Sequence, residues 1–151
     1  MAITGGINVV PGLVLTSIVI DIERIGDYTK NIVELAVVHP GKLAGGRYEE
    51  DLKKIENSVG DIFNQIVSIL RSMNKEAART LIRDNLWIRK RCDEINLDLI
   101  QGKEALLSLG DAVAVALYVR YLKRVEAHLL NILSSVVNPV ERIGYREEEE
   151  A

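Results

Sequence analysis

The chain has 151 residues, 48% of them hydrophobic and 27% charged, with a net charge of -3. That apolar share supports a packed core and excludes a largely disordered chain, and the weak acidity gives no footing for nucleic-acid binding. The single cysteine, Cys92, excludes an internal disulfide and fits a reducing cytoplasm.

The most apolar stretch, Ile7 to Ile22, is interrupted by Asn8, Pro11, Gly12, Thr16, Ser17 and Asp21. It is shorter than the ~20 residues of a membrane span and lacks the basic start and cleavage pattern of a secretory signal. The reading is a soluble, cytoplasmic protein that meets a membrane only peripherally, through partners. Apolar residues at alternating spacings of three and four then mark helices in chain order. A first helix over 8–37 has the seam Ile18, Ile22, Ile25, Thr29, Ile32 and Ala36, and closes at His39-Pro40-Gly41. Gly45-Gly46 extends the connection to a second helix over 47–73, with Leu52, Ile55, Val59, Ile62, Ile66, Ile69 and Met73 as its seam. Asn74 is the expected N-cap of a third, over 75–100, whose seam runs Ala78, Leu81, Asn85, Ile88, Cys92, Ile95 and Leu99. The fourth, over 104–137, reads Tyr118, Leu122, Val125, Leu129, Ile132 and Val136, and ends at Asn138-Pro139. No stretch of comparable length alternates with period two. The expected fold is all-α, an antiparallel helical bundle.

Sliding the chain over itself reveals a repeat at an offset of 100 residues. Ile22-Glu23-Arg24-Ile25 lies over Leu122-Lys123-Arg124-Val125, and Asn31-Ile32 over Asn131-Ile132. The six positions of the first seam coincide with those of the fourth. The offset points to duplication of a three-helix unit. On that reading residues 1–46 are the last helix of one copy and its connection, and 47–138 are a complete second copy. Residues 139–151 are an acidic, solvated tail.

The segment Asp21-Ile22-Glu23-Arg24-Ile25-Gly26-Asp27-Tyr28-Thr29-Lys30-Asn31-Ile32-Val33-Glu34 carries the most specific signal. It resembles the signature of the PhoU family of phosphate-uptake regulators, an acidic residue followed four positions later by Asp within L-E-R-I-G-D-x-x-x-N-I-x-E. The family's second signature would fall at Tyr121 to Ile132. There Lys123 replaces the acidic residue and Ala127 the Asp, so the second site would be lost. Family members consist of two three-helix bundles with the signature on each third helix, and this chain corresponds to the third through sixth helices. The resemblance implies a regulator that binds the ATPase of a phosphate ABC transporter and a sensor histidine kinase. It also implies iron or zinc-type clusters on the bundle surface, with Glu23 and Asp27 as candidate metal ligands.

The geometry of the segment bears on that role. At 100° per residue Glu23, Asp27, Asn31 and Glu34 fall within about 80° of one another, opposite the expected seam. Carboxylates one turn apart can bind a cation through oxygen. An amphipathic helix also carries Glu and Asp outside for solvation alone, so the stripe reads either way. His39 and His128 have no second His or Cys at ligand spacing, Cys92 reads as a small core hydrophobe, and Asn85 as a register residue. Arg89-Lys90-Arg91 reads as a solvated face with its neighbouring acids, and Glu141-Arg142-Ile143-Gly144 as tail. Nothing resembles a nucleophile with its base, a phosphate-cradling loop or a paired-carboxylate cleft, so the chain does not read as an enzyme.

Two other readings compete with the adaptor. One is a regulatory domain of an ion or sodium–phosphate transporter, and the other a metal-binding bundle. Ferritin-like bundles place Glu-x-x-His pairs inward, and none occurs here. The apolar run from Val9 to Val19 implies a homodimer or higher oligomer, one route to which is exchange of the first helix between subunits.

Overall fold

The structure, a computed structural model, describes residues 9–138. It is all-helical, with no strand among those residues. The elements are α1 (Val9–Val38), a 3₁₀ turn (Gly46–Tyr48), α2 (Glu49–Ser72), α3 (Lys75–Asn85), α4 (Trp87–Ile100) and α5 (Leu109–Val137). The 139–151 tail and the Glu141–Gly144 echo lie outside the described residues.

Helices α2, α3 with α4, and α5 pack as an up-down-up bundle, because each carries an apolar seam, interrupted by Asn85 in α3 and Glu126 in α5. Ile55, Ile62, Ile88, Cys92 and Ile95 are wholly buried, as are Val115, Val119 and Leu133. All of the expected α2 seam is buried except Met73, which caps the helix in the left-handed region at φ 50° and stands 60% exposed. Asn74 caps α3 as expected, its side chain accepting from the Ala77 N–H at 3.0 Å. The third expected helix divides at Leu86. The buried Asn85 side chain donates to the Leu81 carbonyl four residues back, and the Leu86 N–H reaches only three back to Arg83. Side-chain competition for a backbone carbonyl tightens the turn there toward 3₁₀ geometry. Gly102, at φ 66°, ends α4, with its N–H on Leu99 and that of Lys103 on Asp98, the double bond of a Schellman turn. The last helix starts at Leu109 rather than 104, because Ser108 caps it by accepting from the Asp111 N–H.

Helix α1 packs on α5 of its own chain, antiparallel, with Asp21 beside His128, Tyr28 beside Tyr121 and His39 beside Asp111. Its packed seam differs from the expected one. Ile18, Ile25 and Ile32 face inward, but Ile22, Thr29 and Ala36 are exposed, and Asp21, Tyr28 and Leu35 take their places. Polar partners on α5 hold Asp21 and Tyr28, so the helix turns about 50° from the orientation that apolar content alone selects.

Candidate functional site

The signature residues lie on α1 and α5, but on different sides of the pair. Glu23 and Asp27 are both exposed, as expected of the outward stripe, and Glu34 is exposed beyond them. Asp27 lies 3.9 Å from Arg24 and Glu34 3.5 Å from Lys30, so two of the three carboxylates already have a cation one turn away. Exposed pairs of this kind contribute little to stability. Among the described residues no group of three or more His, Cys, Asp or Glu is placed to hold a metal. Two carboxylates are fewer than the four or more ligands that iron or zinc takes, so a cation at Glu23 and Asp27 would need the rest from outside the described residues. In the position matching Glu23, Lys123 pairs with Asp93 of α4 at 2.6 Å.

A second cluster lies between α1 and α5, on the side of α1 away from Glu23 and Asp27, and the sequence pattern was not read for it. The Nδ1–H of His128 donates to Asp21 Oδ1 at 2.7 Å, and the two side chains are 17% and 10% exposed. Tyr28 stacks on the His128 ring at 5.9 Å between centroids, and the Arg124 Nε donates to the Tyr28 hydroxyl at 3.1 Å. An available signal was the spacing. Val14, Ile18, Asp21, Ile25, Tyr28, Ile32 and Leu35 follow one another at alternating four and three, which puts Asp21 on an inner seam.

Toward the other end of α1, a cleft of about 350 Å³ opens between α1, the loop after it, α2 and α5. Its floor is apolar, with Ile32, Leu35, Leu43 and Leu52, and Lys42, Lys53, Glu49 and Glu56 stand among its walls. The Tyr118 hydroxyl donates to Glu56 at 2.8 Å, and burial followed by that carboxylate pushes its ionisation well above the ordinary phenol range. His39 Nε2 pairs with Asp111 at 3.1 Å at the helix junction. The Ser108 hydroxyl, ahead of the Ala44 N–H and His39, holds the Asp111 carboxyl below the usual range.

Between α4 and α5 the polar groups are structural. Glu126 is fully buried, and Arg89 Nε donates to its Oε2 at 2.8 Å while Oε1 has no hydrogen-bond partner. Burial raises the Glu126 carboxyl above its ordinary value despite the opposing pull of Arg89. Burial, with the Glu126 and Asp93 charges behind it, pushes the Cys92 thiol up to about 12, so it is an inert core group as expected. Arg91 bridges Asp51 of α2 at 2.6 Å and Glu94 at 3.0 Å. The basic cluster is thus tied to neighbouring acids at both Arg89 and Arg91.

No helix among the described residues is long and apolar enough to cross a membrane. Comparison with protein-family models, with curated proteins and with solved structures finds no match to this chain.

Proposed function

We propose that this protein is a PhoU-like regulator of phosphate uptake and phosphate-starvation signalling, acting by contact with a phosphate transporter ATPase, a sensor histidine kinase, or both. The observation that carries the reading is the phrase Glu23 to Glu34, whose acidic residues Glu23, Asp27 and Glu34 are all exposed on the outward side of α1. A regulator of this kind works through differential affinity for two states of its partner and needs no turnover chemistry. Rigid helix faces suit it, because they offer charged stripes and apolar ridges to partner helices. Further support comes from Ile100, Leu106 and Leu109, exposed around the α4–α5 connection at 82%, 93% and 82%. On the same reading Glu23 and Asp27 form part of a surface iron or zinc site.

Deletion of the gene, with phosphate uptake and polyphosphate measured in phosphate-rich medium, tests the proposal. The expected result is raised uptake and polyphosphate, with a transporter ATPase or kinase recovered on the tagged protein. Unchanged uptake together with no such recovery overturns it.

A further inference from the structure

Helix α1 carries two seams of heptad spacing, one residue apart. The inner one packs on α5. The outer one, formed by Leu15, Val19, Ile22, Val33 and Ala36 with Gly26 and Thr29 at its middle, is exposed at every position, and its large members are 52–62% accessible. Moved by the 100-residue offset of the internal repeat, those five apolar residues become Val115, Val119, Leu122, Leu133 and Val136 of α5. All five counterparts are buried, at 0–6% exposure, where α5 meets α2, α3 and α4. The α1 outer seam is therefore the repeat equivalent of a core seam, displayed without a cover. It is also cleaner than its counterpart. Glu126 sits in the α5 seam, whereas the matching residue in α1 is Gly26, so no charge interrupts the outer seam.

We infer that this seam is a homodimer interface in which α1 of one copy packs antiparallel on α1 of another. Three features of the seam select a second copy as its occupant. In heptad terms Val19, Gly26 and Val33 occupy one core position, and Leu15, Ile22, Thr29 and Ala36 the other. An antiparallel pair brings unlike core positions together, and one register matches size throughout. Ile22 faces Val33 of the second copy, Val19 faces Ala36, and Gly26 faces Thr29, each twice by symmetry. The small central layers let the helix axes approach closely. In that same register Glu23 flanks Lys30 of the second copy, and Lys30 flanks Glu23, so the only charged residues bordering the seam on its open side are complementary across the two-fold. Antiparallel alignment also sets the helix dipoles head to tail.

The side of α1 on which the seam lies supplies more apolar surface. Glu56 of α2 lines the cleft with Ile32 and Ala36, and Gly60, Phe63 and Val67 follow it on the same α2 face at spacings of four, three and four. Phe63 and Val67 are 42% and 51% exposed, and a second α1 lying along the seam would run beside them.

The test is sedimentation at micromolar protein in the presence of a chelator, which removes any metal bridge. The expected species has twice the 16.8 kDa chain mass. Val33→Glu puts two carboxylates in the apolar layers of each dimer, and it is expected to weaken association ~100-fold or more with the helical circular dichroism unchanged. Ile22→Cys/Val33→Cys is expected to yield a covalent dimer on mild oxidation. Glu23→Lys is expected to weaken the dimer, and Glu23→Lys/Lys30→Glu to restore it. A wild-type monomer, or a folded Val33→Glu protein that still dimerises as wild type, overturns the inference. Should Val33→Glu fail to fold, absence of the Ile22–Val33 cross-link overturns it instead.

Discussion

Asp21 of α1 and His128 of α5, 107 residues apart in the chain, meet through a 2.7 Å hydrogen bond in a nearly closed interface. Asn131 donates to the same carboxylate oxygen at 3.4 Å, and the Tyr28 ring covers the imidazole. The pair fixes which side of α1 faces the bundle. Its removal leaves a buried acceptor or donor without its partner, so Asp21→Ala and His128→Ala should each cost about 1–3 kcal/mol. Because the two side chains share one contact, the double variant should cost less than the sum by about 0.5–3 kcal/mol. Urea unfolding of the four proteins measures this. Additive losses would show that the contact does not hold the helix.

The turn between α2 and α3 combines a favourable cap with an unfavourable backbone. Met73 holds a left-handed conformation that costs a residue with a Cβ about 1–2 kcal/mol, and its side chain is mostly exposed. Met73→Gly should therefore stabilise the protein by about 0.5–1 kcal/mol, part of the relief being offset by glycine's extra freedom when unfolded. Asn74→Ala at the next position should cost about 1 kcal/mol, since the Ala77 N–H loses its acceptor. Denaturant midpoints moving in opposite directions are the expected result.

Glu126 gives the stability a specific dependence on pH. Its carboxyl is raised by burial above the ordinary value of 4.5, with Arg89 pulling the other way. Between those two values the folded chain keeps a proton that the unfolded chain has released. Stability from this group is therefore fully present below the ordinary value and declines as pH rises through the raised one. Glu126→Gln has no proton to lose, so its unfolding midpoint should fall less than that of wild type as pH rises above the ordinary carboxyl value. Parallel profiles would remove Glu126 as the source.

The contrast between α2 and α1 shows what a single sequence can reveal. In α2 the apolar residues occupy one stripe, from Leu52 through Ile69, and polar residues fill the rest, so only one orientation buries them. In α1 both Ile18-Ile25-Ile32 and Val19-Ile22-Val33 are apolar, and hydrophobicity does not choose between the seams. Asp21 and Tyr28 choose, through residues about a hundred positions away that no local pattern connects to them. Glu126 was hidden for a related reason. It continues the spacing of Leu122 and Leu129 on a buried seam, but a glutamate on a helix reads as surface until its arginine partner, 37 residues back, is placed against it. Glu23 and Asp27, by contrast, were legible as outward residues, because they lie on the side of α1 away from the inner seam that packs on α5.

Glu23 and Asp27 stand one turn apart on an exposed face, with two carboxylates to offer and Arg24 3.9 Å from one of them. A cation held there needs further ligands from outside the described residues, so its occupancy should fall on dilution or chelation more readily than in an enclosed site. Elemental analysis of the purified protein against Glu23→Ala/Asp27→Ala is the direct measurement. Iron or zinc is expected in the wild type and lost from the variant. Both residues are exposed, so the substitutions should leave the unfolding midpoint nearly unchanged. Lys123→Ala is the control for the matching position on α5. Its ammonium is committed to Asp93, and neither Ala127 nor the new alanine supplies a ligand, so the metal content should not rise. Equal metal in the wild type and the double variant would eliminate Glu23 and Asp27 as ligands, while the proposed contacts with a transporter or kinase would still stand or fall on the deletion experiment.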